Sequence, residues 1–107
     1  MEINFTSDAS KYISELLKPD EILVLFYDTE GCGCAMNGVP VLNIEAGTMQ
    51  NELVSIKTNE FRLFMFKKHT IFFDEQMRIH FENNRLKLSS NNQIFSSSLL
   101  LRRREDL

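Results

Sequence analysis

Hydrophobic residues follow strand spacing along most of this chain and helix spacing in one place near its start. Ile3 and Phe5 alternate with polar residues, which predicts a short first strand. Polar residues at 6–8 are good helix N-caps, and apolar residues then recur at helical spacing over 9–17. Pro19 disfavours helical geometry in the residue before it. The chain is therefore predicted to begin with a strand and an amphipathic helix.

The rest of the chain is predicted to consist mainly of strands. A continuous apolar run over 22–27 is typical of a central strand that is covered on both faces. Further strand patterns lie, in chain order, over 39–44, 53–56, 61–66, 71–73, 77–81 and 85–88, with 71–73 and 77–81 forming a hairpin. The pattern predicts an α+β, mostly β fold: a small curved sheet or a β-sandwich with one N-terminal helix.

Length and composition are those of one soluble domain. The 107 residues, 43% hydrophobic and 25% charged, predict a single domain over 1–107. Serine and asparagine predominate over 89–98, so we predict a loop there and a flexible tail over 96–107. The net charge of −3 provides no attraction to nucleic acid. Three arginines at 102–104 are followed at once by two acidic residues, which favours a solvated tail over a nucleic-acid site.

The chain lacks the apolar segments that membrane contact or export would require. No apolar run approaches the roughly 18 residues of a membrane span. Residues 1–5 have neither the basic nor the apolar region of a signal peptide. We therefore expect a cytoplasmic protein in a compartment where thiols are normally reduced. Two cysteines in that setting favour metal binding, redox chemistry or an incidental role over a structural disulfide.

Candidate chemistry is concentrated in one stretch of eight residues, 31–38. It holds both cysteines of the chain and three of its four glycines. Thiolates are the softest ligands and nucleophiles of a protein, and glycine permits sharp turns and close approaches. The candidate site residues are Gly31, Cys32, Gly33, Cys34 and Gly38.

A Cys-Gly-Cys turn can chelate a metal but supplies only half of a tetrahedral site. Two thiolates on one metal, with bonds near 2.3 Å, lie about 3.8 Å apart, which this spacing allows. Two copies of the loop across a two-fold axis would offer four thiolates, which suit zinc or an iron–sulfur cluster. Other residues of the chain could help instead, although we expect both histidines to be exposed: His69, His80, Asp28 and Glu30.

Two other interpretations of the two cysteines stay open. Cys32 and Cys34 could form a small, strained and easily reduced disulfide, which would make the loop a thiol–disulfide switch. They could also be simply small residues in a tight turn. A catalytic thiol needs a depressed pKa, and the nearby carboxylates would raise it. The sequence shows no nucleophile–base pair, so we expect no enzymatic activity.

Residues 28–40, which follow an apolar strand, read Asp-Thr-Glu-Gly-Cys-Gly-Cys-Ala-Met-Asn-Gly-Val-Pro. This stretch resembles the signature of the short HesB/IscA-like iron–sulfur cluster biosynthesis proteins of Gram-positive bacteria. The helix start at 6–9 and the strand and loop over 86–92 resemble the two ends of that family's domain. The resemblance implies a HesB-like domain and a cytoplasmic accessory protein of the A-type carrier kind. It also implies iron or an iron–sulfur cluster bound by Cys32 and Cys34, a homodimer, and assembly or recipient proteins as partners.

The chain also departs from the pattern of the wider family. Its well-studied carriers use one loop cysteine and a Cys-Gly-Cys near the C-terminus. Cys32 matches the loop cysteine, Cys34 stands where a ligand is not usual, and residues 96–101 are Ser-Ser-Ser-Leu-Leu-Leu. Two alternatives to the carrier function therefore stay open. One is a non-metal protein-interaction module derived from such carriers, and the other is a thiol–disulfide redox switch.

Overall fold

Strands form a closed barrel in the part of the chain that the computed structural model describes, residues 1–28, 39–46 and 53–103. Around the barrel their order is β1-β4-β5-β2-β3-β8-β7-β6, and β6 pairs with β1. In chain order the elements are β1 (Glu2–Phe5), α1 (Ser7–Ser14), β2 (Glu21–Asp28), β3 (Val39–Ala46), β4 (Leu53–Thr58), β5 (Leu63–Phe66), the 3₁₀ helix η1 (Lys67–Phe72), β6 (Gln76–Glu82), β7 (Arg85–Ser89) and β8 (Ile94–Arg103).

The closed barrel corrects the prediction of a small curved sheet or a β-sandwich, although a mostly β chain with an N-terminal helix was right. Closure depends on parallel pairs between distant segments, such as β1 with β6 from Glu2↔Gln76 to Phe5↔Ile79. An open sheet and a barrel both bury one face of each strand, so the two produce the same alternation of apolar and polar residues. The sequence pattern therefore cannot distinguish them.

Two local predictions were also wrong. Residues 71–73 do not pair with 77–81 in a hairpin, because η1 extends to Phe72, and β6 pairs instead with β1 and β7. Residues 94–103, which fall within the predicted loop and tail, form strand β8, whereas residues 90–93 lie between strands as predicted. β8 pairs with β7 through Leu86↔Leu99 and with β3 through Leu42↔Leu101, so it links two strands that would otherwise end the sheet on either side.

Helix α1 packs against β6 and contributes to the core of the barrel. The Thr6 hydroxyl accepts a hydrogen bond from the Ala9 amide at 3.4 Å, which is the predicted N-cap. Ala9 and Ile13 are fully buried in the same apolar cluster as the inward residues of the strands. Tyr12 stacks on Phe81 of β6 at a centroid distance of 4.4 Å. Neither described helix has the length and apolar character that crossing a bilayer requires.

The β6–β7 hairpin has a two-residue turn, Asn83-Asn84, closed by the pair Glu82↔Arg85. Both asparagines have positive φ, 56° and 63°, as a type I′ turn requires. We expect Asn84→Ala to lower the free energy of unfolding by about 1 kcal/mol, because alanine lacks the local hydrogen bonding that lets asparagine adopt this conformation. Chemical denaturation measures the effect, and Asn84→Gly, which carries no Cβ, is the matched control. Equal stability of the two variants would contradict the turn assignment.

Candidate functional site

Strands β2 and β3 form a hairpin that holds both ends of the candidate loop. Their antiparallel pairing runs without interruption from Glu21↔Ala46 to Asp28↔Val39. The loop predictions fall within 29–38, outside the described residues: Glu30, Gly31, Cys32, Gly33, Cys34 and Gly38. The pairing nevertheless establishes that this segment leaves and rejoins the barrel at neighbouring positions. We call the end of the barrel at Asp28 and Val39 the cysteine end.

Pro40 lies at the start of β3, where a strand over 39–44 was predicted. It lies opposite Tyr27 in the pairing with β2 and is buried. The pairing of β3 with β8 begins one residue later, at Val41↔Leu100. The proline nitrogen, which has no hydrogen to donate, therefore precedes the paired stretch on that side.

His69 anchors the last residues of β2 on the other side. The Leu23 amide of β2 donates to the Arg62 carbonyl at 3.0 Å, and alternate amides of a strand point to the same neighbour. The β2–β5 pairing ends at Leu25↔Met65, shortly before the chain turns into η1. The next amide on that side, that of Tyr27, donates instead to Nδ1 of His69 at 3.3 Å. The imidazole thus replaces a strand carbonyl as the hydrogen-bond acceptor one residue before Asp28.

The same imidazole lies in an aromatic cage and is only 6% exposed, so the prediction of an exposed His69 was wrong. Its ring centroid lies 4.8 Å from that of Phe26 and 5.6 Å from that of Phe66, both in edge contacts. Burial, and next the positive charge of Lys68, lower the pKa of His69. The ring is therefore neutral near pH 7. Because Nδ1 accepts a hydrogen bond, we assign the proton to Nε2.

Aromatic side chains continue from His69 around the cysteine end. Phe72 of η1 stacks on Tyr27 at a centroid distance of 4.1 Å. Phe73 makes an edge contact with Tyr27 at 5.8 Å and a tilted contact with Phe95 of β8 at 5.6 Å. We call these five side chains, His69, Tyr27, Phe72, Phe73 and Phe95, the aromatic row. The row connects η1, β2 and β8, and so supports the strand that leads into residues 29–38.

The other candidate ligands do not join His69. His80 lies on β6 opposite Lys87 of β7 and is half-buried rather than exposed as predicted. Its Nδ1 is buried and makes no hydrogen bond within the described residues. Asp28 is the last residue of β2. Within 1–28, 39–46 and 53–103, no three His, Cys, Asp or Glu side chains come together as a metal site would require.

The role of His69 was missed because the neighbouring Lys67, Lys68 and Thr70 suggested an exposed turn. A usable signal was present in the sequence. Phe66, His69 and Phe72 are spaced three residues apart, which places them on one face of a 3₁₀ helix. An aromatic residue on each side at this spacing predicts a buried imidazole.

The sequence of this chain is similar to those of known proteins. Residues 1–103 match the family model described as "Iron-sulphur cluster biosynthesis". The uncharacterized protein YqkB of Bacillus subtilis is 32% identical over 83 residues, which is 76% of this chain and 77% of YqkB.

Two crystal structures share the fold. One is that of a proposed Fe–S biosynthesis protein from Lactobacillus salivarius, with a TM-score of 0.79, 19% identity, and coverage of 96% of this chain and 98% of that one. The other is that of a proposed Fe–S biosynthesis protein from Lactobacillus acidophilus, with a TM-score of 0.77, 19% identity, and coverage of 96% and 90%.

Proposed function

Because the chain belongs to the HesB/IscA-like iron–sulfur cluster biosynthesis family, we propose that it carries iron or an iron–sulfur cluster on Cys32 and Cys34. It would act in the cytoplasm as an accessory protein and exchange this cargo with assembly or recipient proteins. The carrier would perform no turnover chemistry of its own. A reducing compartment suits this function because it keeps both thiols available as ligands.

The observation that supports this proposal is the uninterrupted β2–β3 pairing at the cysteine end. Asp28 and Val39 are paired, and the ten residues between them contain both thiols of the chain. Both thiols thus belong to the segment that joins two paired strands, and one of these strands, β2, is anchored through His69. Such a support reduces the conformational entropy that is lost when both cysteines bind one ion.

The donor set fits iron better than a harder cation. Thiolates are soft ligands that suit iron–sulfur clusters and zinc. His69 cannot add its Nδ1 while that atom accepts the hydrogen bond from the Tyr27 amide. Two thiolates make half of a four-ligand site, so the rest must come from a second chain, a partner protein or the sulfides of the cluster.

Anaerobic reconstitution with ferrous iron and sulfide tests the proposal. We expect a thiolate-to-iron absorption band and bound iron in the unmodified protein, and loss of both in the double variant Cys32→Ala, Cys34→Ala. His80→Gln is the control, since it removes a candidate ligand that lies on β6. It should leave the band unchanged. A double variant that keeps the band, or an unmodified protein without one, would rule out the carrier function.

The same samples test the two alternatives. A titration of free thiols before and after mild oxidation detects a thiol–disulfide switch, which would consume two thiols per chain. We expect the count of the cargo-free protein to stay at two after mild oxidation. Free, unreactive thiols together with no bound iron would favour the non-metal interaction module.

A further inference from the structure

A small cleft lies beside strand β8, where the β6–β7 hairpin turns. Its volume is about 200 Å³, and among the described residues it is lined by Tyr12 and by residues 84–86 and 98–101. Two of the lining residues, Leu86 and Leu99, are buried, whereas Leu100 is 52% exposed. We call this feature the β8 cleft. None of these lining residues belongs to the aromatic row or to the candidate cysteine segment.

Strand β8 has an open edge at the β8 cleft. Its pairing with β7 ends at Leu99, next to the start of β7 at Arg85, whereas its pairing with β3 continues to Arg103. Among the described strands, none pairs with residues 100–103 on the side that faces β7. Backbone N–H and C=O groups along such an edge can pair with an extended segment of another protein.

Arginine side chains lie beside the exposed leucine. Leu86 pairs with Leu99 in the antiparallel β7–β8 ladder, so Arg85 and Leu100, one residue further on each strand, are neighbours on the outer face. Arg102 follows two residues after Leu100 on the same face and is exposed. Of the described residues that line the β8 cleft, Arg85 is the only charged one.

The charge around the β8 cleft is opposite in sign to that of the whole chain. Lys87 lies two residues along β7 from Arg85, and its Nζ is 3.0 Å from the carboxylate of Glu82. Nε of Arg102 donates to Oδ1 of Asn43 at 3.2 Å, a neutral acceptor that leaves the guanidinium charge uncompensated. The net charge of the chain is −3. Such a locally basic surface attracts and orients an acidic partner.

We infer that the β8 cleft binds an extended, acidic segment of a partner protein. The segment would pair with the open edge of β8, place one large apolar side chain in the cleft, and set its carboxylates against Arg85 and Arg102. A volume of about 200 Å³ accommodates one such side chain and is smaller than the roughly 300 Å³ at which pockets for small molecules begin. Tyr12, which stacks on Phe81, provides an aromatic wall for that side chain.

Other occupants fit the same surface less well. A second copy of this chain would bring the same basic side chains face to face, because a two-fold contact uses one surface twice. Nucleic acid would be repelled by the net charge of −3. Among the described residues of the β8 cleft, Tyr12 has the only aromatic ring on which a base could stack, and this ring is already stacked on Phe81.

Solution NMR of the full, isotope-labelled chain tests this inference, with a synthetic peptide of glutamates around one phenylalanine as the probe. We expect saturable shifts of the backbone amides over 84–86 and 98–103. Replacing the phenylalanine of the peptide by alanine should weaken binding about tenfold, because the apolar anchor is lost. Added salt should also weaken binding. Methylation of the peptide's backbone nitrogens should abolish it, because the hydrogens that pair with a strand edge are then missing.

Two variants of the protein and two matched controls locate the binding surface. Leu100→Ala and Arg85→Gln each remove one part of it and should each weaken peptide binding about tenfold. Leu16→Ala and Arg62→Gln change exposed residues of the same two types outside the β8 cleft and should leave binding unchanged. Thermal unfolding of all four variants should stay close to that of the unmodified chain, so that weaker binding reports the surface and not the fold.

The outcomes are distinct from those of the iron experiment, because no cargo is loaded and failure of the carrier function would leave this result unaffected. Saturable shifts at the β8 cleft that only Leu100→Ala and Arg85→Gln weaken would support the inference. Absence of saturable shifts, or shifts confined to another surface such as η1, would overturn it. Tighter binding of a single-stranded oligonucleotide at the β8 cleft, or concentration-dependent shifts there without peptide, would also overturn it in favour of nucleic acid or a second copy.

Discussion

Truncating Leu99 to alanine is expected to lower the free energy of unfolding by about 3 kcal/mol. Leu99 is 5% exposed, pairs with Leu86 of β7 and belongs to the main apolar cluster of the barrel. Removing its side chain atoms loses their burial and leaves a cavity that the closed barrel can fill only in part. Urea unfolding followed by circular dichroism measures the change.

The neighbouring leucine is a close control for this effect. Leu100 carries the same side chain one position along β8 but points away from the core and is 52% exposed. Leu100→Ala should therefore cost less than about 1 kcal/mol. A small loss of unfolding free energy in both variants would mean that β8 does not complete the barrel. This segment would then be a tail, as the sequence pattern predicted. A large loss in Leu99→Ala alone would support the closed barrel.

Replacing His69 by leucine is expected to cost about 2 kcal/mol, because the Tyr27 amide would lose its acceptor in a buried setting. Leucine fills much of the aromatic cage, so the effect reports chiefly the missing hydrogen bond. In His69→Asn, Oδ1 takes the place of Nδ1 as acceptor, and this variant should retain more stability than His69→Leu. Denaturation at pH 8, where the histidine is neutral, compares the two. Equal losses would contradict the anchoring of β2 by His69.

The stability of the unmodified protein should also depend on pH through His69. The folded state lowers the pKa of this imidazole below the 6.5 of an unperturbed histidine. Above about pH 6.5 the ring is neutral in both states, and its contribution is complete. As the pH falls below that value, the unfolded chain binds the proton first, and stability decreases until the pH has passed the folded-state pKa. His69→Asn should lack this component of the pH dependence, whereas a profile like that of the unmodified chain would refute it.

Much of the local structure could be predicted from residue patterns. Alternation in the first five residues, the N-cap at Thr6 and the apolar run over 22–27 correctly predicted β1, α1 and β2. These signals succeed because they depend on neighbours within one turn or one strand. The hydrophobic pattern did not predict β8, because serines at 96–98 and three successive leucines obscure the alternation of apolar and polar residues. The pairing of β8 with β7 is also irregular. The pattern also failed for His69, whose environment is made by residues from β2, β5 and η1.

The sequence by itself determined the chemistry of the candidate site, because both cysteines and three of the four glycines fall within residues 31–38. It also determined most strand positions, since burying one face of a strand requires alternation. Only the tertiary structure decided that the sheet closes and that His69 takes the place of a strand carbonyl at Tyr27. Each of these depends on segments far apart in the chain, whose pairing is selected by the packing of the whole barrel.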